Sequence, residues 1–268
     1  TSKDMLVQDI HFLLPQIKAG DLGYKSLAVN ISDLAAMGAR PKHAYVALAL
    51  PADTDSEFVL SFYEGMMELA EPLSVSVSGG DLVGSSGPLV VSVTVQGEVP
   101  QEEALLRSGA SEGDVICTTG RLGASAVGLL VVTGEVSLPH KLQTAALQAH
   151  YRPQPRVREA VWLAQTKAVT AAMDISDGLA KDIREIMEAG RCGARLYAEK
   201  IPVHAAAEAA AQAGRLPLDL ALHGGEDYEL LCTVKKERFL EVAQAYLQRF
   251  QKPLYAVGEI TEEQTLGV

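Results

Sequence analysis

Carboxylates set beside glycine or serine recur in this 268-residue chain, each time just after an apolar stretch. The three strings are Gly79-Gly80-Asp81, Asp174-Ile175-Ser176-Asp177-Gly178 and Gly224-Gly225-Glu226-Asp227. Asp4 follows Ser2 by two residues, and Asp33 completes a polar stripe with Ser26 and Asn30 at i, i+4 and i+7 of a helical pattern. Carboxylate oxygens suit Mg²⁺, which binds through one or two of them plus substrate phosphates and keeps several waters. Glycine lets backbone N–H groups come close to a phosphate. Together they would let an acidic protein bind a polyphosphate through bridging metal.

Each piece also has a plain structural reading. Asp177 can cap the helix that follows it, Gly79-Gly80-Asp81 can be a hairpin turn, and Gly224 to Asp227 can be a loop before a strand. Asp33 on a helix face is most simply a solvated charge. His11, between Ile10 and Phe12, reads as a satisfied structural group. Gly120 to Gly123 lacks the Lys-Ser/Thr of a nucleotide loop and the full dinucleotide fingerprint.

The elements that must position these residues follow from hydrophobic period. Tyr24, Leu27, Ala28, Ile31, Leu34 and Ala35 recur at helical spacing from Asp21, a candidate cap, to Gly38, a candidate stop. Ala44 to Leu50 reads as a buried strand, and Thr54 to Glu57 as a capping box opening a helix with Phe58, Phe62, Met66 and Leu69 on one face. Val75 and Val77 alternate with serines, as do Val91, Val93 and Val95 with Ser92 and Thr94, giving two strands with the Gly79-to-Gly87 segment as the loop between them. The polar stretch 97–114 separates two apolar regions, so a boundary is expected at 108, with domains 1–108 and 109–268. Beyond it, strands at Val115 to Thr118, Val169 to Met173, Ala194 to Ala198 and Tyr228 to Val234 alternate with helical stretches, the clearest being Asp177 to Ala189 and Lys235 to Arg249. The order predicts two α/β (α+β) halves.

Composition removes several classes of function. With 23 Lys and Arg against 34 Asp and Glu, the net charge is −11, which repels nucleic-acid backbones and anionic lipid, so no nucleic-acid or membrane partner is expected. The longest apolar runs, Ala44 to Leu50 and Ala126 to Val132, fall far short of the roughly 20 residues of a spanning helix. Cys117, Cys192 and Cys232 are odd in number and form no CxxC pair, which suits a reducing cytoplasm without disulfides or structural zinc. The chain opens at Thr1 without a Met, so further residues upstream are expected.

Longer strings carry a resemblance. Ser2-Lys3-Asp4-Met5-Leu6-Val7, His11-Phe12, Leu27 through Pro41, Gly79-Gly80-Asp81, Arg107-Ser108-Gly109-Ala110, Tyr151-Arg152-Pro153, Met173 through Leu179 and Gly224 through Leu230 resemble, in order and over nearly the whole chain, the thiamine-monophosphate kinases. Their superfamily also holds aminoimidazole ribonucleotide synthetase, selenophosphate synthetase and a hydrogenase-maturation dehydratase. The resemblance implies ATP-dependent, Mg²⁺-assisted phosphorylation of thiamine monophosphate to thiamine diphosphate. It also implies a two-domain fold of the aminoimidazole ribonucleotide synthetase kind, with the N-terminal sheet pairing across a homodimer and the site between the domains. By position it implies magnesium ligands at Asp4, Asp33, Asp81 and Asp174, with Ser2, Lys3 and Asp177 as further metal positions. Gly80, Asp81, Arg107 and Ser176 match ATP-binding positions, and His11 and Glu226 match positions that bind thiamine monophosphate. Of these, Asp81, Asp174 and Asp177 are the expected catalytic carboxylates.

The chain departs from the family pattern at Lys3, where a threonine is usual. A protonated lysine cannot coordinate a cation, so it would act through its backbone carbonyl or meet a phosphate directly. The family's upstream Gly-Asp-Asp-Ala segment and an aromatic near the C-terminus also have no counterpart here. Two other functions fit the same scaffold: ATP-dependent activation of a different acceptor, and a nucleotide-binding dimer without catalysis. The absence of a cysteine before Cys117 disfavours a selenide acceptor.

Overall fold

Helix α1 (Ala19–Ala36) organises the molecule. It touches β1 (Ser2–Val7), β2 (Arg40–Pro51) and β4 (Val90–Glu98) on one side, and α4 (His140–Tyr151), α5 (Val157–Gln165) and β6 (Val169–Asp174) on the other. Thirteen of its eighteen residues are buried, so it has no broad solvent face. The computed structural model describes residues 1–268. Leu22, Leu27 and Ile31 are fully enclosed, each worth about 1.5–3 kcal/mol of apolar burial. The stripe of Ser26, Asn30 and Asp33 turns inward rather than to water. Ser26 Oγ donates to the Gly23 carbonyl at 3.0 Å, Asn30 Nδ2 donates to the Ser26 carbonyl at 2.9 Å, and both side chains are buried.

The N-terminal sheet has strand order β1-β4-β2-β3, with β3 (Ser76–Ser85) parallel to β2 and the other pairings antiparallel. Val91, Val93 and Val95 of β4 point into the core while Ser92 and Thr94 are half-exposed, as their alternation requires. Gly79-Gly80-Asp81 is neither the expected loop nor a turn: it lies inside β3 and pairs with Tyr45, Val46 and Ala47 of β2. Asp55, one residue later than expected, caps α2 (Ser56–Ala70) by accepting the Phe58 N–H at 2.7 Å.

The second sheet runs β10-β7-β9-β5-β8-β6, from β5 (Val115–Thr118), β6, β7 (Gly193–Leu196), β8 (Leu230–Val234), β9 (Tyr255–Thr261) and β10 (Leu266–Gly267). Only β10–β7 is parallel. Its helices are α3 (Ala124–Val132), α4, α5, α6 (Leu179–Gly190), α7 (Ala205–Ala210), α8 (Pro217–His223) and α9 (Phe239–Phe250). A single apolar cluster joins the two halves, uniting Leu6 and Val93 with Leu230, Val234 and Tyr246. α1 lies within it, so its polar residues meet loops from the second half.

Candidate active site

Three carboxylates gather where β1, α1 and the end of β6 meet. Ser2 Oγ donates to Asp33 Oδ2, the Asp4 N–H donates to Asn30 Oδ1 at 2.9 Å, and Ser32 Oγ donates to Asp174 Oδ2 at 2.6 Å. Burial, then the charge of Asp33, raises the Asp4 pKa, with His11 acting against them. Asp174 is pushed up to about 7 by burial and by Asp33, against the Ser32 hydrogen bond. The charges facing Asp174 are two more carboxylates, Asp33 and Asp182. A partly buried group of like charges favours a cation, and Asp33 lies within this group rather than on a freely solvated helix face.

No three acidic, His or Cys side chains converge closely enough to wrap a metal ion unaided. That fits Mg²⁺, which takes one or two carboxylates and completes its shell with phosphate and water. Asp33, with Asp4 on one side and Asp174 on the other, could contribute one or two carboxylates to such a shell, with substrate and water supplying the rest.

A loop from the second half closes over this group. Gly225, Glu226 and Tyr228 all adopt positive φ (68°, 54° and 49°), which is costly for the two non-glycine residues. Backbone bonds pin the loop to the neighbouring string: Glu226 N–H to the Ser176 carbonyl at 2.8 Å, and Tyr228 N–H to the Ile175 carbonyl at 2.9 Å. The Tyr228 hydroxyl is buried and held in its protonated form, first by desolvation and then by the charges of Glu226, Asp174, Asp4 and Asp33. Tyr228 thus lies within the electrostatic reach of Glu226 and of the three aspartates.

Glu226 has partners from both halves. Lys25 Nζ of α1 lies 3.1 Å from each of its carboxylate oxygens, and His150 Nδ1 of α4 lies 3.2 Å from Oε2. Burial opposes the charge of Glu226, but the His150 hydrogen bond and the Lys25 ammonium outweigh it and hold the carboxyl at about 2. The adjoining Asp227 is structural: both its oxygens accept the Gly123 N–H at the start of α3, at 3.0 and 2.9 Å.

The remaining expected residues stand apart. Asp81 is exposed on β3. Asp4 pairs with Val93, Val93 with Val46, and Val46 with Gly80, so Gly80 is level with Asp4 but three strands away, about 14 Å of sheet. Asp81 and the Asp4–Asp33–Asp174 group are separate points of contact. Asp177 does not cap α6, whose N-cap is Gly178; it is exposed and paired with Lys181 at 2.6 Å. Ser176 is half-buried and offers its carbonyl to the Glu226 loop. Arg107 is exposed and paired with Glu185 at 3.2 Å. His11 is exposed, its Nδ1 accepting the Val7 N–H at 3.1 Å. Strand alternation sends the exposed Lys3 side chain to the face opposite Ser2 and Asp4.

Lys25, Ser32, His150 and Tyr228 escaped the residue-by-residue reading of the sequence. Lys25 and His150 sit on ordinary helical patterns, and only their burial and shared partner reveal them. The resemblance strings did contain Ser32 and Tyr228.

Comparison with known proteins gives the chain its family. The family model for the N-terminal domain of AIR synthase related proteins matches residues 1–99, and the model for their C-terminal domain matches residues 111–268. The thiamine-monophosphate kinase of Rhodopirellula baltica is 40% identical, covering 87% of this chain and 67% of that protein. That of Bacillus subtilis is 37% identical, covering 97% and 79%. Among solved structures, the thiamine monophosphate kinase of Aquifex aeolicus superposes with a TM-score of 0.89 at 30% identity, over 100% of this chain and 86% of that one. A structure described as AaThiL complexed with AMPPCP and TMP gives a TM-score of 0.89 at 31% identity, over 99% and 81%. The hydrogenase maturation protein HypE, at 18% identity and a TM-score of 0.79, shares the fold. The chain belongs to the AIR synthase related family and, within it, to the thiamine-monophosphate kinases.

Proposed function

We propose that this protein transfers the γ-phosphoryl group of ATP to thiamine monophosphate, giving thiamine diphosphate and ADP. The observation that carries the proposal is the likeness, over 99% of the chain, to a relative whose structure is a complex with AMPPCP and TMP. The partly buried, cation-seeking group of Asp4, Asp33 and Asp174 gives it a physical basis.

Phosphoryl transfer asks for little covalent work from protein; positioning and charge neutralisation carry most of it. The attacking oxygen belongs to a phosphate and is already anionic, so no residue need act as a general base. The main obstacle is repulsion between two polyanions. When bound, Mg²⁺ would supply the positive charge that offsets it. Asp4, Asp33 and Asp174 would hold that ion on the inner side of the cleft, with Ser2 beside them and Lys3 acting through its backbone carbonyl alone, and Asp81 and Asp177 would meet the nucleotide's metal from outside. Gly80 and Ser176 would take the ATP phosphates through backbone and hydroxyl groups. Arg107 would exchange its exposed partner Glu185 for a phosphate, since an exposed ion pair of this kind is worth only about 0–1 kcal/mol. His11 and Glu226 would bind thiamine monophosphate.

The same reading includes a homodimer joined through the N-terminal sheet. Its location is the cytoplasm, where the three buried, unpaired cysteines would stay reduced; no helix is long and apolar enough to cross a membrane. Incubation with ATP, Mg²⁺ and thiamine monophosphate should yield thiamine diphosphate and ADP in equal amounts. ADP formed only with another acceptor would replace this activity by a related one, and nucleotide binding without ADP would make the protein a non-catalytic dimer.

A further inference from the structure

Lys25 is a lysine in the wrong place for one. Its side chain is 1% exposed, on a helix enclosed on both sides, where an unpaired ammonium would be very costly. Its carboxylate partner is Glu226, 201 positions later in sequence. The same carboxylate is met from the other half by His150, which is itself buried and within 3.1 Å of Ser125 Oγ. Burial lowers the His150 pKa, against the pull of Glu226. The neutral ring with its proton on Nδ1 is therefore a donor to Glu226 that adds no charge. Glu226 needs such holding, because its own backbone is in the left-handed region between two other positive-φ residues.

We propose that Lys25 and His150 are positioning residues that fix the Glu226 carboxylate for thiamine monophosphate. This rests on the assignment of Glu226 to substrate binding. One clamp arm comes from α1 of the N-terminal half and the other from α4 of the C-terminal half, so the Glu226 carboxylate is correctly placed only when the halves are docked. Neither arm touches the phosphates, and both act through Glu226.

The test is steady-state kinetics on the full chain with each substrate varied, together with thermal unfolding. Lys25→Met keeps the apolar stem and removes the charge. It should raise KM for thiamine monophosphate about tenfold or more while KM for ATP stays within about twofold. His150→Ala should do the same more weakly, and His150→Gln, which retains a donor, should recover part of the loss. The double variant Lys25→Met/Glu226→Gln should be no worse than Glu226→Gln alone, because the clamp has nothing left to hold. Equal rises in both KM values, or additive losses in the double variant, would show a purely structural ion pair and overturn the proposal. If Glu226→Gln raises KM for thiamine monophosphate but Lys25→Met and His150→Ala do not, the clamp falls while the reading beneath it stands. If Glu226→Gln itself leaves that KM unchanged, both fall. Should Lys25→Met fail to fold, the pair His150→Ala and His150→Gln decides the question by the same split between the two KM values.

Discussion

Asp174 shows how folding gives a single residue surroundings that its sequence string only suggests. It ends a buried strand, accepts a hydrogen bond from Ser32 and faces the carboxylates of Asp33 and Asp182. Asp174→Asn should therefore lower kcat about 100-fold or more, since charge held at the reacting phosphates is usually the largest catalytic contribution. The ligand-free variant should melt no lower than the wild type, because the amide relieves repulsion and its oxygen can still accept from Ser32. Near-normal turnover, read as ADP release, would remove Asp174 from the mechanism. Asp227 gives a contrasting case with a pH signature. Burial pushes its carboxyl up to about 7, against the N–H bonds from α3 that favour ionisation. The folded form thus holds a proton that the unfolded form releases near pH 4, and the stability this brings is lost as pH rises from about 4 to 7. In Asp227→Asn that loss is absent, so wild-type stability relative to the variant should fall across this window in urea unfolding at stepped pH. A flat difference would mean that Asp227 is ionised throughout. These two aspartates look alike in sequence, each two residues from a glycine or serine in a short carboxylate-bearing string. Their hydrogen-bond partners separate them, and those partners, Ser32 and Gly123, lie over a hundred positions away.

At the scale of the elements, α1 and α2 must approach closely for α1 to reach both sheets. A Cβ on Gly65 would fall inside the Gly20 carbonyl, and one on Gly23 would fall inside the Phe62 carbonyl. Both obstacles are backbone, which cannot swing aside. Gly65→Ala should consequently destabilise the fold by roughly 2 kcal/mol or more. It should also lower activity, because α1 carries Lys25, Asn30, Ser32 and Asp33; unchanged denaturant midpoint and activity would show that the helices can part freely. How much of this was legible varies with the element. The valine–serine alternation of β4 and the apolar period of α1 were plain, because side-chain period reports burial directly. β3 was not, since Gly79-Gly80-Asp81 has turn-forming residues and its strand conformation comes from pairing with β2, a tertiary contact. β1 and β9 were missed for a similar reason: each is defined by its sheet neighbours more than by its own composition. The polar face of α1 was visible as a stripe, but that it points inward depends on the second half covering it.

For the whole molecule, the N-terminal sheet is covered on one face by α1, with α2 packed against that helix, and bare on the other. The bare face and its β3 edge carry Met5 (51% exposed), Tyr45 (40%), Val83 (49%) and Leu82 (55%), and β3 pairs along only one side over ten residues. A long edge strand with exposed apolar side chains and no charged residue other than Asp81 invites pairing with another chain. The dimer included in the proposed function gives that surface its partner, a second copy presenting the same strand about a two-fold axis. A charge placed there should separate the copies without touching the carboxylates at β1, α1 and β6. Val83→Glu should convert a dimer of the wild type into a monomer at micromolar concentration in light scattering, with each monomer still folded by circular dichroism. Leu216, equally apolar and exposed but remote from the sheet on the approach to α8, supplies the control: Leu216→Glu should leave the dimer intact. If Val83→Glu stays dimeric while Leu216→Glu does not, the contact lies on the C-terminal half. The bare sheet would then need another explanation.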